Sequence, residues 1–293
     1  MAKHHFVPQL YLREWLDPNS LGKNNVEPYL WVYEKGTLEP FPKAPKNVAF
    51  RGNLYSANTG QDFDEDAVEK IFQKIESEYA TVWRQKIKQH QLLSVEDRGI
   101  VAAFVSALFP RSPFMRDHLG NFMEEIARGV AGMITSSEDH LKILGKQYKE
   151  RTGQSITGLE AEVFDPSNFE FESTRETKTA FMLTLFKDIF PFISRMSWIF
   201  VEALEGEFFL TCDMPVSLTA PRRGGPVGFG SLDAEIALPL SPKVCLITSW
   251  IKKADRYMMA PKGFLEQVNL RVQDNAEEEV YLSRKDPNIS VPL

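Results

Sequence analysis

Two adjacent histidines, His4 and His5, are the residues of this chain best suited to chemistry. The chain has five histidines in all, and two of them stand side by side ahead of Phe6-Val7-Pro8. Neighbouring imidazoles can ligate a metal, relay a proton or contact phosphate near neutral pH. Successive residues of an extended segment point to opposite sides, so one ring would face a pocket while the other orients or packs. The competing role is structural, with the pair pinning the N-terminal arm by hydrogen bonds to backbone carbonyls.

Six further positions could complete a site. Asp213 follows the apolar run from Phe208 to Thr211 and precedes Met214-Pro215. That placing suits a strand end, where sites are commonly built, and it equally suits an Asx-type turn. Arg111 and Arg116 bracket Ser112-Pro113 at a break between helices. An arginine there can stabilise an anion or pair with a carboxylate such as Asp213 or Glu76. Glu69 and Glu76 share one helix face two turns apart, and either could reach inward to a histidine. Asn269 lies amid Phe264, Val268 and Val272, and a buried amide must lock a loop or touch a ligand. The expected centre therefore takes His4, His5, Asp213 and Arg111 as catalytic groups. His5 and Asp213 would hold a divalent metal ion, and Asn269 and Tyr11 would contact substrate.

Several familiar patterns are missing. There is no phosphate-binding Gly-x-x-x-x-Gly-Lys loop, no dinucleotide-binding glycine pattern, no Gly-x-Ser-x-Gly elbow and no His-Glu-x-x-His pair. The glycine-rich stretch from Gly224 to Gly230 is broken by Pro226 and reads as a loop. Arg222 and Arg223 beside it would make it a lid over an anionic ligand. The run His4-His5-x-x-Pro8 also resembles one arm of the HNH-type nucleases, which use a general-base histidine beside a divalent metal. Asn24 and Asn25 stand roughly where the middle asparagine would, but Tyr29 to Tyr33 reads as a strand where that motif has a helix.

The elements that would position these groups fall into three stretches. Residues 1 to 60 are rich in proline, asparagine and aromatics, with a β-prone run from Tyr29 to Tyr33 and a short extended piece at Asn53-Leu54-Tyr55. The middle is helical. Asp62, Asp64, Glu65 and Asp66 favour a helix start. Val68, Ile71, Phe72, Ile75, Tyr79 and Val82 then recur at spacings of three and four. Ser94 with Asp97 forms a capping box for a second helix that Pro110 would end. Further helices are expected over 116–134, 137–151 and 174–190, with loop between 152 and 172. After Pro191 strands return, including a hairpin that joins 197–202 to 208–211 through Glu205-Gly206-Glu207. Strands at 235–238, 244–250 and 280–282 and a helix at 262–275 complete the chain. The expected fold is α+β, a mixed or antiparallel sheet built from the N- and C-terminal segments with a helical bundle inserted between them. That corresponds to a composite unit of 1–60 plus 191–293 and a helical insertion of 61–190, with a single α+β domain as the alternative.

Composition bounds the function. At 293 residues, 43% hydrophobic and 25% charged, this is a globular composition. The net charge of −6 works against broad attraction to nucleic acid or anionic membranes. Cys212 and Cys245, the only cysteines, sit in apolar strand-like stretches and supply no zinc motif. No apolar run has the length of a membrane span. The expectation is a cytoplasmic protein that does not associate with membranes.

The run His4-His5-Phe6-Val7-Pro8-Gln9-Leu10-Tyr11-Leu12-Arg13 resembles the opening motif of the domain-of-unknown-function family 4238. Asn53-Leu54-Tyr55, Glu69 and Glu76, Arg111-Ser112-Pro113, Thr211-Cys212-Asp213-Met214-Pro215, Pro239-Leu240-Ser241-Pro242 and Asn269 are similar to its later landmarks. Where the family shows Ser-Asp-Asn-Pro, this chain has Cys212-Asp213-Met214-Pro215 and lacks the polar neighbours. The resemblance implies landmarks and carries no reaction. From the residues themselves, the leading expectation is a metal-dependent, nuclease-like hydrolase acting on a phosphodiester, with nucleic acid or another phosphate-bearing ligand as partner. The alternative is a non-catalytic binding or regulatory module in which the His-His arm is structural.

Overall fold

The computed structural model describes residues 3–37, 39–52, 54–55, 67–220, 227–286 and 289. Asn53, the acidic run Asp62 to Asp66 and Arg222 to Pro226 of the expected lid lie outside the described residues. In chain order the early elements are β1 (Lys3–His5), α1 (Gln9–Leu12), β2 (Leu30–Glu34), β3 (Phe41–Lys43) and β4 (Phe50–Gly52). The helices α2 (Ala67–Gln85), α3 (Val95–Arg111), α4 (Pro113–Thr135), α5 (Glu138–Thr152), α6 (Glu160–Val163) and α7 (Arg175–Arg195) follow. The last part holds β5 (Ser197–Glu202), β6 (Thr211–Cys212), β7 (Ser217–Thr219), β8 (Glu235–Ser241), β9 (Val244–Ser249), β10 (Arg256–Met259), α8 (Phe264–Asn275) and β11 (Glu279–Leu282).

Strands from both parts of the chain share a sheet, as the α+β reading expects. One sheet runs β3-β2-β11-β6, so Leu30–Glu34 pairs directly with Glu279–Leu282. A second runs β10-β5-β9-β8-β7, antiparallel except where β10 lies parallel to β5. A small ribbon joins β1 to β4, with His4 opposite Arg51 and His5 opposite Phe50. No helix among the described residues is long and apolar enough to cross a membrane.

The chain forms two compact units, Met1–Met115 with Met182–Leu293, and Arg116–Phe181. These differ from a division at 60 and 190 because α2 and α3 share the core of the sheets. Tyr79, Val82 and Trp83 of α2 and Val101, Phe104 and Leu108 of α3 are buried in one cluster with Leu30, Trp198, Leu238 and Leu246. The second unit has its own polar ties. Glu124 accepts from the backbone and hydroxyl of Ser173, at 2.8 and 2.9 Å, and Arg116 donates to Thr179 at 3.1 Å.

Local signals mostly act as the sequence implies. Ser94 accepts from the Asp97 N–H and the Asp97 side chain accepts in return, closing the capping box of α3. Two prolines fail to stop their helices. Pro110 lies inside α3, which runs on to Arg111, and Pro191 lies inside α7, which runs on to Arg195. Around Pro191, burial of Ile189, Ile193 and Met196 rewards continued helical spacing and offsets the lost hydrogen bond.

The expected hairpin does not form. β5 pairs with β9 and β10, while Thr211–Cys212 crosses to the other sheet and pairs with β11. Phe209, Leu210 and Cys212 are buried in a second cluster with Val280 and Leu282, and that apolar contact wins over local pairing. The 152–172 stretch is mostly loop, as expected, interrupted by α6 and a short 3-10 turn at Pro166–Asn168.

The α2–α3 contact centres on Tyr79 and Phe104, whose rings stack 3.7 Å apart and nearly parallel. Truncating Phe104, which is 1% exposed, leaves a cavity under both helices. Phe104→Ala is expected to lower unfolding free energy by about 3–5 kcal/mol in urea denaturation.

Candidate functional site

The N-terminal histidines serve different neighbours. His4 is buried, its Nδ1 accepts the Tyr55 backbone N–H at 3.0 Å, and its ring stacks on Tyr55 at 5.3 Å. His5 lies half-buried against Phe50, with its Nδ1 3.5 Å from Gln9 Nε2. Its Nε2 is buried and makes no hydrogen bond of ordinary geometry. Burial lowers the His5 pKa from its ordinary value; the Lys46 carbonyl opposes this, and the positive charges of Lys3 and Arg111 add to it.

Arg111 ends α3 at 1% exposure. Its guanidinium donates to Glu76 Oε1 at 2.7 Å and to the His5 carbonyl at 2.8 Å, and Nε lies 3.4 Å from the Tyr55 hydroxyl. The Phe72 ring covers its face at 4.2 Å. Of the two carboxylates on that helix face, Glu76 is the one that pairs with Arg111, while Glu69 has one buried oxygen, Oε2, without a hydrogen bond. Burial pushes the Glu76 carboxyl up, against the pull of Arg111.

Asp213 stands just past β6, as expected of a strand-end carboxylate. Its oxygens are filled by backbone rather than by ligand. Oδ1 accepts from Glu277 N–H at 2.9 Å, and Oδ2 accepts from Glu278 and Glu279 at 2.7 and 3.1 Å. The turn it stabilises is therefore a distant one, the lead-in to β11. Burial raises its pKa to about 6 although the three N–H groups favour the charged form, and Glu279 adds to the rise. Asp213 shares with Arg51 and Ser112 a cavity of about 20 Å³, room for roughly one water molecule.

The two expected substrate contacts lie elsewhere, on the segment leading into β6. The Tyr11 hydroxyl bonds Thr211 Oγ1 at 2.7 Å and the Pro239 carbonyl at 2.5 Å. Asn269 accepts from Leu210 N–H at 2.9 Å and donates to the Phe208 carbonyl at 3.0 Å. The structure thus brings His4, His5 and Arg111 together with Tyr55 and Glu76, and ties Tyr11 and Asn269 to a different strand. For the His5–Asp213 metal pair, no group of three His, Cys, Asp or Glu side chains among the described residues is arranged to hold an ion. Asp213 accepts one backbone N–H at Oδ1 and two at Oδ2.

Open space lies away from this centre. A cavity of about 570 Å³ is lined by Leu16, Trp83, Lys88, Phe208, Lys243 and Arg284, among others. Sequence reasoning did not find it, because its walls come from separate segments. The Pro239-Leu240-Ser241-Pro242 landmark was the available signal, since Ser241 and Pro242 line it.

With these positions in place, the comparison with known families is specific. A family model described as protein of unknown function, DUF4238, matches residues 3–286. The chain belongs to that family. No curated protein and no solved structure was found to match. The family's landmarks at Tyr11, Arg111, Asp213 and Asn269 all hold fold-level hydrogen bonds here.

Two measurements follow. Arg111→Met leaves Glu76 buried without its cation and is expected to cost about 3–5 kcal/mol. Adding Glu76→Leu should recover much of that loss in a double-mutant cycle read by urea denaturation. For Asp213, a side-chain carboxyl carbon resonance titrating near pH 6 is expected, with a midpoint in the ordinary carboxylate range as the contrary outcome. A folded-state pKa above the unfolded one contributes stability that is fully present below about pH 4 and lost as pH rises through about 6. Against Asp213→Asn, the wild type should therefore lose relative stability across that window.

Proposed function

We propose that this protein is a non-catalytic binding module in which the His-His arm is structural. One observation carries the reading: the polar groups nominated for catalysis are consumed by the fold. Asp213 takes three backbone N–H groups, His4 takes one, and Arg111 is fully buried against Glu76 and a carbonyl. A hydrolytic centre needs a base and an oxygen ligand free to meet water, metal or phosphate. His5 Nε2 and Glu69 Oε2 make no hydrogen bond among the described residues, but both atoms are buried away from solvent. The cavity beside Asp213 is too small for a phosphodiester. Space on the scale of a small ligand, roughly 300–1,000 Å³, occurs at the Trp83 cavity of about 570 Å³ and at a cavity of about 510 Å³ lined by Asn269 and Arg284. Two free, buried cysteines fit a reducing compartment, so the proposal includes a cytoplasmic location.

Metal analysis with thermal melting tests the reading. The wild-type protein is expected to carry no stoichiometric divalent metal and to hydrolyse no bis(4-nitrophenyl) phosphate when manganese, magnesium or zinc is added. His4→Ala should lower the melting temperature by several degrees through loss of the Tyr55 contact, an effect of about 1–3 kcal/mol. Stoichiometric metal that disappears in a His4→Ala, His5→Ala variant of unchanged melting temperature would restore the hydrolase.

A further inference from the structure

The Trp83 cavity has an apolar wall and a charged rim. Trp83 and Val244 are buried at its base, and Leu16, Phe208 and Pro242 line it less deeply. Trp83 is 4% exposed, and its indole Nε1 is buried with no hydrogen-bond partner. That nitrogen is closed off from the cavity, so Trp83 offers the cavity an apolar surface and no donor.

The charges around it are not all spent. Lys88 pairs with Glu14 at 2.8 Å and sits over the Trp83 ring. His90 stands 3.4 Å from Glu202, and both Asp17 oxygens accept hydrogen bonds, from Asn19 N–H and Trp31 Nε1. Lys243 and Arg284 are different. Lys243 donates to the carbonyls of Glu207 and Leu204, at 2.8 and 3.4 Å. Arg284 donates to the Gly206 carbonyl at 2.6 Å and lies 3.9 Å over the Phe208 ring. Neither makes an ion pair with a carboxylate among the described residues. Two cations therefore face one exposed carboxylate, Glu207, at the rim of an apolar cavity.

We propose that this cavity binds an amphipathic organic anion, a small molecule with a planar apolar body and a carboxylate or sulfonate. The apolar body lies along Trp83, Phe208 and Pro242. The anionic group meets Lys243 and Arg284 at the rim. The inference rests on the binding-module reading and adds the ligand class and the place. It also gives the Ser241-Pro242 landmark a role, because that turn carries Lys243 and forms part of the wall.

Three probes of matched shape test it by titration calorimetry: 2-naphthoate, 2-naphthylmethanol and 2-naphthylmethylammonium. The naphthoate is expected to bind about tenfold more tightly than either of the others. Lys243→Met, an exposed substitution, should weaken naphthoate about fivefold or more and leave the neutral probe unchanged. Trp83→Phe keeps a ring against the cavity and identifies the Trp83 indole resonance by its absence. In an amide and indole NMR spectrum, the Trp83 indole N–H, assigned by its loss in that variant, should shift on adding naphthoate. Equal binding of all three probes, preference for the ammonium, or no naphthoate binding by folded wild type overturns the ligand class. Those outcomes leave the structural reading of the His-His arm standing, since that depends on the metal and melting measurements instead.

Discussion

A guanidinium taken out of water must be paired or it costs several kcal/mol, and Arg111 is the residue in this protein where that constraint bites hardest. Its solution joins four parts of the chain. Glu76 comes from α2, Arg111 from the end of α3, the His5 carbonyl from β1, and the Tyr55 hydroxyl from the segment after β4. Phe72 and Tyr55 close over it, and His4 in turn stacks on Tyr55. The position of the N-terminal arm is thus a consequence of solvating one buried cation with protein groups. This explains why residues that look like chemistry in the sequence are so fully occupied in the structure.

A second set of ties does for the segment from Phe208 to Asp213 what Arg111 does for the arm. It makes only a two-residue strand, Thr211–Cys212, so regular pairing holds little of it. Side chains from elsewhere supply the remaining bonds: Tyr11 to Thr211, Asn269 to Leu210 and Phe208, and Asp213 outward to the amides before β11. These bonds satisfy backbone groups that a short strand leaves bare. Taken with Arg111, they account for most of the family's landmark positions as architecture. Residues that such a family has in common need not mark a reaction.

Much of the fold was legible, and the parts that were not share a cause. The Ser94–Asp97 capping box, the apolar stripe of α2 and the strand-rich segments on either side of the helices are local patterns, and each appears in the structure. Pairing partners are non-local. Val201 lies opposite Cys245, and Cys212 lies opposite Val280, a choice made by burial across two sheets that no adjacent run of residues displays. The site divides the same way. That Arg111 would meet a carboxylate followed from its place at a helix end. That Glu76 rather than Asp213 supplies it depends on which helix packs against α3. The Trp83 cavity was invisible because each of its walls is an ordinary turn or helix end until they are assembled.

The pairing of Leu30–Glu34 with Glu279–Leu282 has a consequence for biosynthesis. At roughly 5–20 residues per second, the ribosome needs on the order of 10–50 s to make the intervening stretch. Through that interval β2 waits with one edge unmet and with Leu30 and Val32, both wholly covered in the finished protein, open to solvent. Such an edge is a template for unwanted association. Loss of β11 alone would leave that edge of β2 bare, although it spares nearly every residue of the core.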